Sequence, residues 1–139
     1  MASNSMLTYT VRLDQQPGGV SPEIHLKQGA NSMNIQFILS PGTTLINANA
    51  KRCVIRGTRP DGSALFITSF SVWENHEIMV SLYSYDITKL VAVPGEYKCT
   101  LTILDVNAQV TRETYMNYDF LTVLPFTVIV HQAAYEEEG

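Results

Sequence analysis

Charge is scarce in this chain. Asp, Glu, Lys and Arg make up 16% of its 139 residues, against roughly 25% in an average soluble domain. Nine basic residues form no stripe long enough to neutralise a phosphate backbone, which argues against a nucleic-acid partner. The net charge is −4, and three of the acids stand together as Glu136, Glu137 and Glu138. The rest of the chain is therefore close to neutral, a surface that permits close contact with other proteins. Uninterrupted apolar runs are short, and none reaches the 18 residues of a membrane span. The opening "MASNSMLTYTVRLDQQ" has no basic region followed by an apolar run, so no secretory leader is expected and the protein should stay in the cell that makes it.

Cysteine is equally sparse. Cys53 and Cys99 stand on either side of the single tryptophan, Trp73, a superficial match to the Cys, Trp, Cys frame of antibody domains. The match fails on spacing, since Trp73 lies twenty positions after Cys53 with a turn motif between. Two buried, unpaired thiols are the expectation for a chain without an export signal. The cysteines lack the C-x-x-C arrangement of zinc sites, and His25, His76 and His131 are scattered without ligand spacing. No G-x-S-x-G elbow supplies a nucleophile, and "QPGGVSP" has no helix behind its glycines to hold a phosphate. Neither an enzyme nor a metal or cofactor protein is expected.

What the chain does have is alternation. In "EIHLKQ", Ile24 and Leu26 alternate with His25 and Lys27, and in "NIQFIL" Ile35, Phe37 and Leu39 alternate with Asn34, Gln36 and Ile38. "KRCVIRGT" places Cys53 and Ile55 on one face and Arg52, Val54 and Arg56 on the other. "EYKCTLTILD" sends Tyr97, Cys99, Leu101 and Ile103 inward with Lys98, Thr100 and Thr102 outward, and "LPFTVIVH" sends Phe126, Val128 and Val130 inward. "MLTYTVRL" and "EIMVSLY" bring the candidate strands to seven, with a weaker eighth at "SALFIT". One helix is expected over Tyr85 to Val93, with Asp86 as its N-cap and Ile87, Leu90 and Val91 on its apolar face. These elements predict an all-β, immunoglobulin-like sandwich of about seven to eight strands with one short helix. Residues 1–139 are read as one domain, with an N-terminal strand and Pro/Gly hinge over 1–22 and an acidic tail over 131–139. The first strand is able to pair within the domain or with a neighbour.

The densest cluster of special residues is "GTRPDGSALF". Pro60 suits the second position of a type I turn, Asp61 the third, and Gly62 the left-handed position that follows. The stretch reads as a three-residue hairpin with a bulge at Gly62.

The same stretch carries a family resemblance. "EIHLKQGANSMNIQFIL", then "IRGTRPDGSALF", then "GEYKCTLTILD" and a closing "FTVIV" resemble the N-terminal domain family of upper baseplate proteins in tailed bacteriophages that infect Gram-positive bacteria. The similarity runs from about Glu23 to about Val130. Two features differ from that family: its members often continue into a coiled coil or receptor-binding region, and "VNAQVTRETYMNYDFLTV" is longer and more aromatic than their usual last connection. The resemblance implies a structural protein of the virion, in the tail baseplate, attached to the tail core and supporting adhesion proteins, in several symmetric copies. The alternatives are a capsid-decorating or head-fibre base protein, and a module that binds host cell-wall sugars through Trp73.

Two groups are candidate contacts. Tyr115, Met116, Tyr118 and Phe120 crowd into a connection where they cannot all join a core; they read either as an interface, which Tyr and Met favour, or as a loop packed on itself. Arg52, Arg56 and Arg59, with Lys51, surround one hairpin; they read either as an ordinary solvated face or as a positive patch suited to an acidic neighbour, such as the glutamates of another copy.

Overall fold

In the computed structural model, which describes residues 7–13, 22–29, 33–39, 50–74 and 77–132, the alternating segments are strands. Ile24 and Leu26 are buried while Glu23, His25 and Lys27 face solvent, the pattern of a strand with one wet face. In chain order the elements are β1 (Leu7–Leu13), β2 (Glu23–Lys27), β3 (Met33–Leu39), β4 (Arg52–Thr58), β5 (Ala64–Glu74), β6 (Glu77–Leu82), α1 (Ser84–Leu90), β7 (Gly95–Leu104) and β8 (Phe120–His131). A 3₁₀ turn at Tyr115–Asn117 interrupts the connection from β7 to β8. The all-β class with one short helix is as the sequence predicts.

Eight strands form one continuous sheet in the order β1, β3, β6, β5, β4, β7, β8, β2. The sheet curls into two facing layers because β5 belongs to both. Its first part pairs with β4 from Ala64 to Phe70, and its last part pairs with β6 from Ser71 to Glu74. At the change-over Ser71 is fully buried and tied to the chain before β4: its N–H donates to the Lys51 carbonyl at 2.9 Å and its carbonyl accepts from Ala50 at 2.7 Å. A buried corner whose backbone groups are all paired costs little.

β1 pairs in parallel with β3, so the first strand joins its own domain. β2 pairs in parallel with β8 at the opposite edge. The hinge "QQPGGVS" lies outside the described residues.

The core fills the space between the layers. Phe37 of β3 meets Phe126 of β8 with ring centroids 5.1 Å apart, one side chain from each layer. Tyr97, Ile35, Leu39, Ile55 and Ile78 are fully buried around them. Each such side chain contributes about 1.5–3 kcal/mol through the water it sheds. α1 closes one end by burying Ile87 and Leu90, with Val91 just beyond it. The helix begins earlier than expected. Tyr83 holds the N-cap position without a side-chain cap, and Asp86 lies in the first turn, where its charge complements the exposed N–H groups. Beyond the helix, the buried Tyr97 hydroxyl donates to the Val93 carbonyl and accepts from the Val93 N–H at 3.1 Å. Burial, which disfavours the phenolate, holds its pKa above the ordinary value.

The outer face of β4 and β7 is where strict alternation fails. Val54 and Thr102 were expected to face solvent, yet both are fully buried. The connection after β7 folds back over them, bringing Val110 and Tyr115 onto Val54 and Leu104 as a second, smaller core flanked by Phe66, Val106 and Tyr118. Its backbone is pinned by Arg52 N–H to the Val106 carbonyl at 2.7 Å and Asp105 N–H to the Asp119 carbonyl at 2.8 Å. A period-two pattern reports one strand's faces and is silent about what a distant segment lays over them.

Candidate interaction surface

The Pro60 to Gly62 segment is a bend, with the geometry its residues predict. Gly62 N–H donates to the Arg59 carbonyl at 2.8 Å, Arg59 N–H donates to the Ser63 carbonyl at 2.8 Å, and Gly62 has φ of 90°. Asp61 Oδ1 accepts from Ser63 N–H at 3.0 Å and from its hydroxyl at 2.6 Å. Those hydrogen bonds, the side-chain one first, hold the exposed carboxyl below its ordinary pKa.

The arginines near this turn do not form one patch. Arg52 is buried: its guanidinium lies 3.8 Å from the Phe70 ring centre and its Nε donates to the Ala108 carbonyl at 3.1 Å. Arg59 donates to the Ala64 carbonyl at 2.7 Å and the Lys89 carbonyl at 3.2 Å, tying the turn to α1. Both cations staple the fold together, and Lys51 pairs with Asp105 at 2.9 Å. Arg56 is different. It lies 4.8 Å from the Tyr115 ring centre, and where Arg59 meets carbonyls through its terminal nitrogens although its Nε is unmet, the Arg56 guanidinium meets none among the described residues.

Arg56 belongs to an open groove of about 360 Å³. Strand register builds it: Arg56 sits opposite Phe66 on one side and Thr100 on the other, and Thr58 sits opposite Ala64 and Lys98, so these outward side chains share one face. The second core supplies the wall, with Tyr115 and Arg112. Three cations line the groove and no carboxylate does. Lys98 is paired with Glu96 at 2.9 Å, and that hydrogen bond raises its pKa. Arg112 was not singled out by sequence, because no local pattern distinguishes it from any exposed loop arginine.

The aromatic connection divides its residues between packing and exposure. Tyr115 is buried, tilted on Phe66 at 5.7 Å and stacked on Phe120 at 6.2 Å. Tyr118 is half-buried against the same cluster, whereas Met116 is 70% exposed and Phe120 42% exposed. Trp73 is half-buried and packs on the main core.

The structure also joins residues that looked unrelated. Because β2 runs alongside β8, His25 Nδ1 lies 2.9 Å from His131 Nε2 with the rings stacked, and His25 Nε2 lies 3.3 Å from Glu23. Nothing in the sequence links positions so far apart. His76 lies outside the described residues. Among the described residues no three His, Cys, Asp or Glu side chains converge to hold a metal ion, and no helix is long and apolar enough to cross a membrane. Cys53 and Cys99 are free and buried, and burial pushes each thiol up to about 12. Such thiols are not poised as nucleophiles.

With this geometry in place, the fold can be compared. The structure matches the N-terminal domain of phage TP901-1 ORF48 with a TM-score of 0.50, over 91% of this chain and 99% of that one, at 10% sequence identity. The two share a fold. No protein-family model and no curated protein matches the sequence. At such identity the likeness lies in the course of the backbone and not in particular side chains, so none of the groove residues is inferred from it.

Proposed function

We propose that this protein is a non-enzymatic structural component of a bacteriophage virion, and within the virion a component of the tail baseplate that docks on the tail core and supports adhesion proteins. The observation that carries the reading is the backbone likeness to the phage ORF48 domain, which extends over nearly all of both chains. The motif order from Glu23 to Val130 points the same way. In this role the protein works by surface complementarity. Its contact candidates are the groove at Arg56, the exposed Met116 and Phe120, and the two edge strands, since an edge offers unpaired backbone groups to a neighbour.

The test is to image purified particles in which the protein carries a visible tag. Ordered copies around the tail tip are expected. Copies spread over the head shell would move the protein to the capsid-decorating class, and absence from intact particles would end the virion reading.

A further inference from the structure

The groove at Arg56 has positive charge that the rest of the described structure leaves unanswered. Arg56 and Arg112 have no acidic partner among the described residues, and no carboxylate lines the groove. A carboxylate is the group that meets a guanidinium best. Tyr115 and Phe66 provide apolar walls beside it. The complementary charge exists within the chain itself. Glu136, Glu137 and Glu138 are consecutive, with Tyr135 just before them.

We infer that this groove binds the Tyr135 to Glu138 segment of a second copy of the chain. The inference rests on the structural reading above in one respect, that several copies stand side by side. Reach decides between the chain's own segment and a neighbour's. β8 ends at His131, whereas the groove's centre at Arg56 and Thr100 lies level with Pro125 and two strands away. At about 3.3 Å per residue and about 4.8 Å per strand, the return path is about 22 Å. From His131 to Glu138 a fully extended chain covers about 23 Å, so the chain's own segment spans that path only if almost no residue is spent on reversing direction after β8. The reversal after β8 uses up that slack, whereas a neighbour's segment meets no such limit.

A fluorescent peptide with the sequence of residues 133–139, AAYEEEG, titrated into the dilute full-length protein at low salt, tests this directly. Binding is expected to weaken about two- to fivefold when Arg112 is replaced (Arg112→Gln), the effect of losing one exposed ion pair, and to weaken as salt is added. Arg56→Gln should do the same. If that half-buried variant fails to fold, the exposed Arg112 variant still decides. Equal binding of AAYEEEG and AAYQQQG, or no effect of Arg112→Gln, would overturn the site. An unrelated acidic peptide binding as tightly would overturn the assignment to this segment. Light scattering of the full chain separates the remaining case. Self-association that rises with concentration and is lost on replacing the three glutamates by glutamine supports the second copy. A monomer at every concentration, despite peptide binding, refutes it. None of these readouts depends on where the protein sits in a particle, so failure here leaves the virion reading to its own test.

Discussion

Gly57 offers the sharpest test of how closely the two central strands of the outer-face site approach. It pairs with Cys99 across β4 and β7, and a Cβ at Gly57 would sit 2.9 Å from Cys99 Sγ and 2.9 Å from the Lys98 carbonyl oxygen. Two effects of Gly57→Ala oppose each other. Removing a glycine restricts the unfolded chain and stabilises by about 0.4–1 kcal/mol where the native backbone suits alanine, and Gly57 is not among the glycines with positive φ. Forcing an extra methyl into filled space costs about 1–3 kcal/mol. The sulfur can rotate aside, but the carbonyl belongs to the β7 backbone and can retreat only if the strands part. The clash therefore wins, with a net loss of about 1–2 kcal/mol. At about 2.1 cal/mol/K of unfolding entropy per residue, each kcal/mol lowers Tm by about 3 °C in a chain of this length. Urea unfolding followed by Trp73 fluorescence, alongside a thermal melt, reads both quantities. Adding Cys99→Ala should recover part of the loss and no more, because the carbonyl contact remains. A Gly57→Ala protein as stable as the original would refute the close approach, and full recovery in the double variant would refute the role of the carbonyl.

Three further outcomes follow from the packing. Tyr97→Phe leaves the part-buried Val93 N–H without its acceptor and should cost about 0.5–1.5 kcal/mol in urea unfolding; an unchanged midpoint would mean that water replaces the hydroxyl. Tyr115→Ala should cost about 3 kcal/mol and, in hydrogen exchange, should open the segment between β7 and β8 before the main core; simultaneous loss everywhere would show that the second core is not a separate unit. The two thiols make stability pH-dependent at the alkaline end. Burial raises their folded pKa values to about 12, above the roughly 8.5–9 of a free thiol, so above pH 9 the unfolded chain loses protons that the folded one keeps. The contribution is complete below pH 9 and declines as pH rises toward 12, by up to about 1.4 kcal/mol per pH unit per thiol. Cys53→Ala should flatten that slope in melts across this range, and an unchanged slope would contradict the burial argument.

Much of the architecture was readable because strands advertise themselves locally. Ile24 and Leu26 in β2 alternate as buried residues must when one face is wet, and Phe126, Val128 and Val130 in β8 face the core as their spacing implies, though Thr127 between them is buried as well. The Pro60, Asp61, Gly62 turn was readable for the same reason, since each residue's own backbone preference names its place. The start of α1 was less so. Asp86 is a good cap by type, but burying Ile87, Leu90 and Val91 sets where the helix lies, and it begins before Asp86. Local preference of about 1 kcal/mol at a cap yields to several buried side chains.

The candidate site was only partly legible. Arg52, Arg56 and Arg59 are alike in sequence and differ in fate, because a carbonyl of the 105–119 segment meets one, α1 meets another, and the third is left facing the groove. Arg112 reaches that groove only because Val110 and Tyr115 anchor its segment over Val54.

By itself, then, the sequence determined the all-β class, the core-facing side of each strand, the hairpin turn and the burial of its two cysteines, all of which depend on residues within one or two strands. The tertiary structure alone decided the curl through β5, the covered face of β4, the meeting of His25 with His131 and the choice of which cations stay unpaired. Each of those depends on pairing between segments distant in the chain, where the energy lies in packing and register that no local pattern encodes.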